Sequence, residues 1–214
     1  MNKQINNKLN KLFSTPNIIG LIANVNEGKS NAIYWILETL NKDFTFNIFV
    51  YGLRCEVPNT MKIYSVNELE QIKDSVIILD EFSSLFDVEN RKMRRQIENT
   101  LRLIFHNNNV LLLCGLGENF KKFISAKLSA IIFKKTTLAD LINGSNAKNI
   151  IMNYKGMDMG ATLLNLGLDE AVLFDGLHYH KFNVPYLPQY DTKIKNVPIL
   201  VPKSVSNKIQ KKWL

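Results

Sequence analysis

The sequence predicts an α/β fold, in which a mostly parallel sheet is flanked by helices and followed by a late β-hairpin and a basic C-terminal tail. Short, almost continuously apolar segments alternate with segments of helical spacing, the pattern of parallel strands covered on both faces. The length of 214 residues fits one domain, and 46% hydrophobic residues supply a sizeable core and exclude a disordered chain. We therefore expect a basic N-terminal arm over residues 1–15, a central domain over residues 16–190 and a lysine-rich tail over residues 191–214.

The first half of the chain contains the segment that organises the predicted sheet. A polar arm or frayed helix precedes a short apolar strand at Asn17–Ile22. Apolar residues at helical spacing then predict an amphipathic helix over Ser30–Lys42. Two strands, a short helix and a further strand follow in the order Phe46–Gly52, Met61–Ser65, Val66–Lys73 and Val76–Leu79.

The second half continues the alternation and ends in antiparallel structure. A helix with a strongly basic first half, a buried strand, another helix and another strand are predicted at Arg91–His106, Asn109–Cys114, Asn119–Leu128 and Ala130–Lys134. The segments Ala171–Phe174 and Leu177–Val184 flank Asp175 and Gly176, a turn pair that predicts a hairpin.

Composition excludes two classes of protein. Two cysteines cannot form a disulfide scaffold, so a reducing compartment is the simpler interpretation. No apolar run approaches the ~20 residues of a membrane span.

The net charge of +8 is unevenly distributed. Residues 13–90 hold 5 basic and 11 acidic residues, whereas residues 91–155 hold 12 basic and 3 acidic residues. Both ends of the chain are basic as well. A basic middle and basic ends indicate a polyanionic partner, although lysine-rich solvated faces would give the same composition.

The segment ANVNEGKS at residues 23–30 lies between the first predicted strand and the first long predicted helix. A loop that ends in Gly-Lys-Ser in this setting is typical of a phosphate-binding P-loop. Backbone N–H groups and the helix N-terminus hold the phosphates, Lys29 reaches the outer phosphates, and Ser30 ligates Mg²⁺. The predicted contacts to ATP and Mg²⁺ are Asn24, Val25, Asn26, Glu27, Gly28, Lys29, Ser30 and Asn31.

This loop departs from the usual P-loop pattern. Ala23 replaces the first glycine, and Asn26 stands where many such loops have a second glycine. Asparagine replaces glycine well at positive φ, so the turn can form. A carboxylate beside phosphates is electrostatically unfavourable, so we expect the side chain of Glu27 to point away.

Two acidic residues follow the apolar strand that ends at Leu79. In P-loop ATPases the first such acid orients the Mg²⁺ shell and the second is the general base for the attacking water. Asp80 and Glu81 are assigned these roles, against the alternative that they only begin a turn.

Hydrolysis also needs positive charge near the γ-phosphate, and an arginine finger contributes ~10³–10⁵ in rate. The candidates are Arg91, Arg94, Arg95 and Arg102. The first three lie in a dense basic run that suits nucleic acid. Arg102 stands alone on the later part of the helix and is the predicted finger, with a capping or ion-paired arginine as the alternative.

The order of these elements resembles the FtsK–HerA superfamily of DNA-pumping P-loop ATPases. The resemblance covers about residues 17–186 and joins the P-loop, the VIILDE strand and the arginine-bearing helix that runs into HNNNVLLLC. It continues through the segments NFKKFISAKLSAIIFKK, LADLINGSNAKNIIMNYKGMDMGATLL and AVLFDGLHYHKFNVPY.

The resemblance implies a RecA/FtsK-like motor domain that assembles into a ring and threads DNA of any sequence. Small single-domain members are typical of genome-packaging ATPases of double-jelly-roll viruses, which implies capsid vertex proteins as further partners. The protein would then act in the host cytoplasm or at the virion or procapsid vertex. The candidate DNA contacts are Arg91, Lys92, Arg94, Arg95, Lys121 and Lys122.

One departure bears on mechanism. Members of this superfamily usually end the strand after the arginine helix with a polar sensor, often glutamine, whereas this strand ends CGLGEN. Glu118 or Asn119 replaces the sensor, or the sensor is absent. Two alternatives therefore stay open: an assembly, secretion or DNA-transfer coupling ATPase of the same superfamily, and an ATP-binding interaction module with little turnover.

Overall fold

The computed structural model describes residues 3–43, 46–87, 90, 93–137 and 159–191. Arg91 and Lys92 lie outside these residues, as do most of the segment that begins LADLING and all of the tail after Asp191. Among the described residues, no helix combines the length and the apolar character needed to cross a lipid bilayer.

One sheet organises the described part of the chain. Its strands are β1 (Asn17–Ile22), β2 (Asn47–Tyr51), β3 (Thr60–Lys62), β4 (Ser75–Asp80), β5 (Val110–Gly115), β6 (Ala130–Phe133), β7 (Glu170–Phe174) and β8 (Tyr179–Asn183). They lie in the order β3-β2-β4-β5-β1-β6-β7-β8. All pairings from β3 to β6 are parallel, whereas β7 is antiparallel to both β6 and β8. The predicted fold class and the late hairpin are confirmed.

Helices cover both faces of the sheet. They are α1 (Lys3–Phe13), α2 (Lys29–Asp43), α3 (Val66–Leu69), α4 (Phe82–Leu85), α5 (Arg94–His106), α6 (Lys122–Ser125) and α7 (Met159–Leu164). On one face, α1 and α2 pack against alternate residues of β1, such as Ile19 and Leu21. On the other face, residues of α3 to α7 belong to a second apolar cluster that includes Ile18 and Ile22. Because the central strands are covered on both faces, their apolar runs are continuous.

The N-terminal arm is a helix that joins the core. Ile5, Leu9 and Phe13 are spaced by four residues, lie on one side of α1 and are almost completely buried. These residues belong to the same apolar cluster as α2 and β1.

Two helices are shorter than the sequence predicts. The helix expected over Val66–Lys73 ends at Leu69, and the helix expected over Asn119–Leu128 is confined to Lys122–Ser125 behind a 3₁₀ turn. In the second case Ser129 already donates its N–H to the carbonyl of Ile18, so the chain must leave the helix early to enter the sheet.

Candidate nucleotide-binding site

The P-loop connects the central strand β1 to the first turn of α2. Asn26 and Gly28 both adopt left-handed backbone angles, with φ of 64° and 77°. Asparagine and glycine tolerate this conformation best, so the substitution at Asn26 preserves the turn. The carbonyl of Gly28 accepts the N–H of Ala32 at 3.0 Å, which starts the helix.

The side chain of Lys29 lies between the two acidic residues that follow β4. Its ammonium is 2.9 Å from Oδ1 of Asp80 and contacts Oε1 of Glu81. Burial opposes the charge on Lys29, but hydrogen bonds and the charges of Glu81 and Asp80 raise its pKa above the usual value. The structure thus brings Lys29 to a pair of adjacent acids that lies about fifty positions later in the sequence.

The two acids differ in environment. The side chain of Asp80 is 10% exposed, and burial raises its pKa even though the ammonium of Lys29 favours the carboxylate. The side chain of Glu81 is 50% exposed and projects from a left-handed residue (φ 53°) that directly precedes α4. The buried acid therefore suits a fixed metal shell, and the exposed acid suits contact with water.

The oxygen donors for Mg²⁺ occur at one place. Ser30 and Asp80 both line the cleft at the P-loop. A hydroxyl and a carboxylate are hard oxygen ligands of the kind that Mg²⁺ takes beside a nucleotide phosphate. This donor set fits the predicted ion.

A cleft of about 620 Å³ extends away from the P-loop. The predicted contacts Asn24, Val25, Asn26, Gly28, Lys29, Ser30 and Asn31 line it, and Glu27 does not. A wall of the cleft consists of aromatic and apolar side chains from α2 and from the segment after β8: Tyr34, Tyr186, Leu187 and Tyr190.

This aromatic wall is fixed to the P-loop helix. Nδ2 of Asn31 donates to the carbonyl of Pro185 at 3.0 Å, and its Oδ1 accepts the N–H of Leu187 at 2.8 Å. The rings of Tyr34 and Tyr190 stack with centroids 4.4 Å apart. These aromatic residues were not predicted as part of the site, because only the fold brings the end of the hairpin to α2.

Among the described residues, the predicted arginine finger and the candidate DNA contacts do not line the cleft. Arg102 is exposed on α5, eight residues and about 12 Å along the helix from Arg94. Arg94 pairs with Glu98 at 3.0 Å and lies over the ring of Phe123 at 5.0 Å. This ring contact brings the start of α5 beside α6. The other described candidates for DNA contact are neighbours of these two residues along the chain: Arg95, Lys121 and Lys122.

One arginine in the cleft was not predicted. Arg54 lines the cleft and follows β2 by three residues. The carboxyl ends of parallel strands meet at one edge of a sheet, so its position after an apolar strand was the available signal.

The residues proposed to replace the sensor lie beyond β5. The side chain of Asn119 donates to Oγ of Ser83 at 3.0 Å. Ser83 lies two residues after Glu81. Leu116 lines the cleft at this strand end, whereas Glu118 and Asn119 do not. Asn119 therefore contacts α4, which follows Asp80 and Glu81, and its side chain does not line the cleft beside Lys29.

Comparison with known proteins shows likeness of fold without likeness of sequence. No protein-family model and no curated protein match the chain. Its structure is similar to B204, the DNA-packaging ATPase from Sulfolobus Turreted Icosahedral Virus, with a TM-score of 0.61 and 13% identity over 81% of this chain and 100% of that chain.

Two further structures carry bound nucleotide analogues. The genome packaging NTPase B204 from Sulfolobus turreted icosahedral virus 2, in complex with ATP-gammaS, gives a TM-score of 0.59 and 15% identity over 80% of this chain and 98% of that chain. The pCW3 conjugation coupling protein TcpA with ATPgS gives a TM-score of 0.52 and 13% identity over 81% of this chain and 61% of that chain. The chain thus has the fold of these ATPases, and the predicted resemblance is confirmed as a likeness of fold.

Proposed function

We propose that this chain is an ATP-driven DNA translocase that packages a viral genome into a preformed capsid. The observation that carries the proposal is the contact of Lys29 with Asp80 and Glu81 directly behind the P-loop. Lys29 binds the outer phosphates, Ser30 and Asp80 hold Mg²⁺, and Glu81 takes the proton of the attacking water.

Binding of ATP exchanges partners within this group. Lys29 leaves the two carboxylates for the β- and γ-phosphates, because the triphosphate carries more negative charge than the two carboxylates together. Glu81 is half exposed and free to turn toward water once Lys29 has left. Asp80 stays near the phosphates, where it and Ser30 would hold Mg²⁺, an ion that would supply the positive charge that the ammonium no longer gives.

The remaining functions need a second copy of the chain and DNA. The exposed position of Arg102 is compatible with a finger that enters the neighbouring subunit's site in a ring. The basic surface at the start of α5 and at α6 is compatible with sequence-independent phosphate contacts. The B204 structure, covered completely by this chain, supports genome packaging and hence a location in the host cytoplasm or at a capsid vertex.

The test is ATP hydrolysis with Mg²⁺, measured without DNA and with single- or double-stranded DNA at increasing salt. We expect DNA to stimulate hydrolysis, and we expect the apparent DNA affinity to fall steeply with salt because counterions are released. Lys29→Ala and Glu81→Gln should each lower the rate by about 10²–10⁴-fold. Lys62→Ala, which removes an exposed lysine paired with Glu56 outside the cleft, is the control.

Normal hydrolysis by Lys29→Ala or Glu81→Gln would refute the proposed chemistry. Hydrolysis that is equally fast with and without DNA would instead refute translocation. The fold of TcpA supports the alternative of a DNA-transfer coupling ATPase, which a packaging assay with capsids separates from the proposal. Near-zero turnover under every condition, with ATP bound, would favour an interaction module.

A further inference from the structure

A buried lysine lies directly beneath the P-loop. Lys134 follows β6 and donates its backbone N–H to the carbonyl of Ile22 at 2.9 Å, so it lies beside the start of the loop. The residue is 1% exposed. Its ammonium donates to the carbonyls of Leu168 and Glu170 at 2.7 and 2.6 Å.

The stem of Lys134 supports Gly28 of the loop. A Cβ atom at Gly28 would lie 3.3 Å from Cε of Lys134 and 3.0 Å from the carbonyl oxygen of Leu168. Gly28 is thus the residue through which the loop rests on the lysine, and the ammonium lies immediately below the backbone that cradles phosphate.

The neighbouring loop residue Glu27 carries the opposite charge. Its side chain is turned away from the cleft, and its Oε2 atom is buried without a hydrogen-bond partner among the described residues. A carboxylate at this position repels a bound triphosphate, and a buried carboxylate is costly unless a nearby cation compensates it.

The charge of this carboxylate is one of those that affect the pKa of Lys134. Burial lowers the pKa of Lys134 to about 8, while the negative charges of Asp169, Glu27 and Glu170 act in the opposite direction. Glu170 has other partners, since its carboxylate pairs with Lys181 at 2.8 Å and accepts the N–H of Gly167 at 2.9 Å. Asp169 is the first of these acids, and Glu27 is the one that belongs to the P-loop, directly before Gly28, which the stem of Lys134 approaches.

We propose that Lys134 is a positioning residue whose buried charge compensates Glu27 and so allows this unusual P-loop to bind a polyphosphate. The inference rests on the proposed nucleotide site and adds a cation to it. The ammonium does not replace Lys29, because it is held by two carbonyls and does not line the cleft. It acts through the charge and the support that it gives to the loop.

A charge-rescue experiment tests the proposal. Binding of ATPγS and of AMP in the presence of Mg²⁺ is measured by calorimetry for four proteins: the unmodified chain, Lys134→Met, Glu27→Gln and the double variant. We expect Lys134→Met to weaken the binding of ATPγS about tenfold and the binding of AMP by less, because the loss of affinity scales with ligand charge. The double variant restores the net charge of the loop, so its ATPγS affinity should return to within about threefold of the unmodified chain.

The adjacent lysine provides the control. Lys135→Met removes the same formal charge one residue later and should leave the affinity unchanged. If Lys134 only holds the carbonyls of Leu168 and Glu170, the loss will be the same for AMP and ATPγS and Glu27→Gln will not rescue it. Either result overturns the proposal.

A second measurement covers the case in which Lys134→Met does not fold. In the unmodified chain, affinity for ATPγS should fall as the pH rises through about 8, where Lys134 loses its proton. In Glu27→Gln the fall should occur at lower pH, because one charge that favours the ammonium is gone. An affinity independent of pH, or an unmoved midpoint, would exclude the compensation.

The outcomes also separate this inference from the proposed function. If the unmodified chain binds no ATPγS, or Lys29→Ala binds as well as the unmodified chain, the nucleotide site itself is wrong. If the unmodified chain binds, Lys29→Ala does not, and the rescue fails, only the role of Lys134 is refuted.

Discussion

Replacing Gly52 with alanine perturbs the close approach between the strand ends that carry the candidate site. Gly52 follows β2, has a φ of 80° and lines the cleft. A Cβ atom there would lie well under 3.0 Å from the carbonyl oxygen of Asp80. The backbone that presents Asp80 must therefore move when Gly52 acquires a side chain.

The size of the effect follows from two contributions. An alanine at positive φ costs about 1 kcal/mol in backbone strain. Overpacking against a backbone carbonyl costs a further 1–3 kcal/mol or so, for a total of about 2–4 kcal/mol. A shift of about 1 Å at a catalytic group also lowers the rate by about 10²-fold.

A matched variant isolates the second contribution. Gly176, in the β7–β8 turn, has a φ of 92°, and a Cβ atom added there would meet no other atom within 4 Å. Gly176→Ala should cost about 1 kcal/mol in chemical unfolding and leave Mg²⁺-ATP hydrolysis unchanged. Equal unfolding free energies and equal hydrolysis rates for the two variants would refute the argument that Gly52 is required by its contact with Asp80.

Two other predictions concern contacts that hold the hairpin and the cleft wall. Although burial acts to raise it, hydrogen bonds from the N–H groups of His178 and Leu177 and from Lys8 lower the pKa of Asp175 to about 2. Asp175 therefore stabilises the fold above about pH 4, where the unmodified chain should have a free energy of unfolding in urea about 1–2 kcal/mol higher than that of Asp175→Asn. This difference should shrink as the pH falls toward 2. Asn31→Ala should speed hydrogen exchange at the N–H of Leu187 at least tenfold, because that N–H loses its acceptor, whereas Asn31→Asp should preserve protection.

The sheet and the acidic half of the site were predictable because their signals are local. An apolar strand such as β4 is recognisable from its composition, and parallel strands place their carboxyl ends together, so Lys29 and the pair after Leu79 were expected to meet. The core role of α1 was also encoded, in the four-residue spacing of Ile5, Leu9 and Phe13, but lysines and asparagines between them suggested an arm.

The rest of the site depends on contacts between distant segments. The sequence does not show that Tyr190 will stack on Tyr34, because the two residues belong to different elements. In the sequence, Lys134 is one more charge in a basic segment, and only the structure shows that it lies against Gly28. Long-range packing of this kind leaves no periodic pattern in the sequence.

The outer strands of the described sheet bear on how copies of the chain can associate. The strand β3 is only three residues long and includes Lys62, while β8 presents Lys181 and His180. Short, charged edge strands are poor templates for adding another chain's backbone. Copies that assemble should therefore do so through side chains of helices and loops, and the same feature protects the sheet against edge-to-edge aggregation while the subunits are still separate.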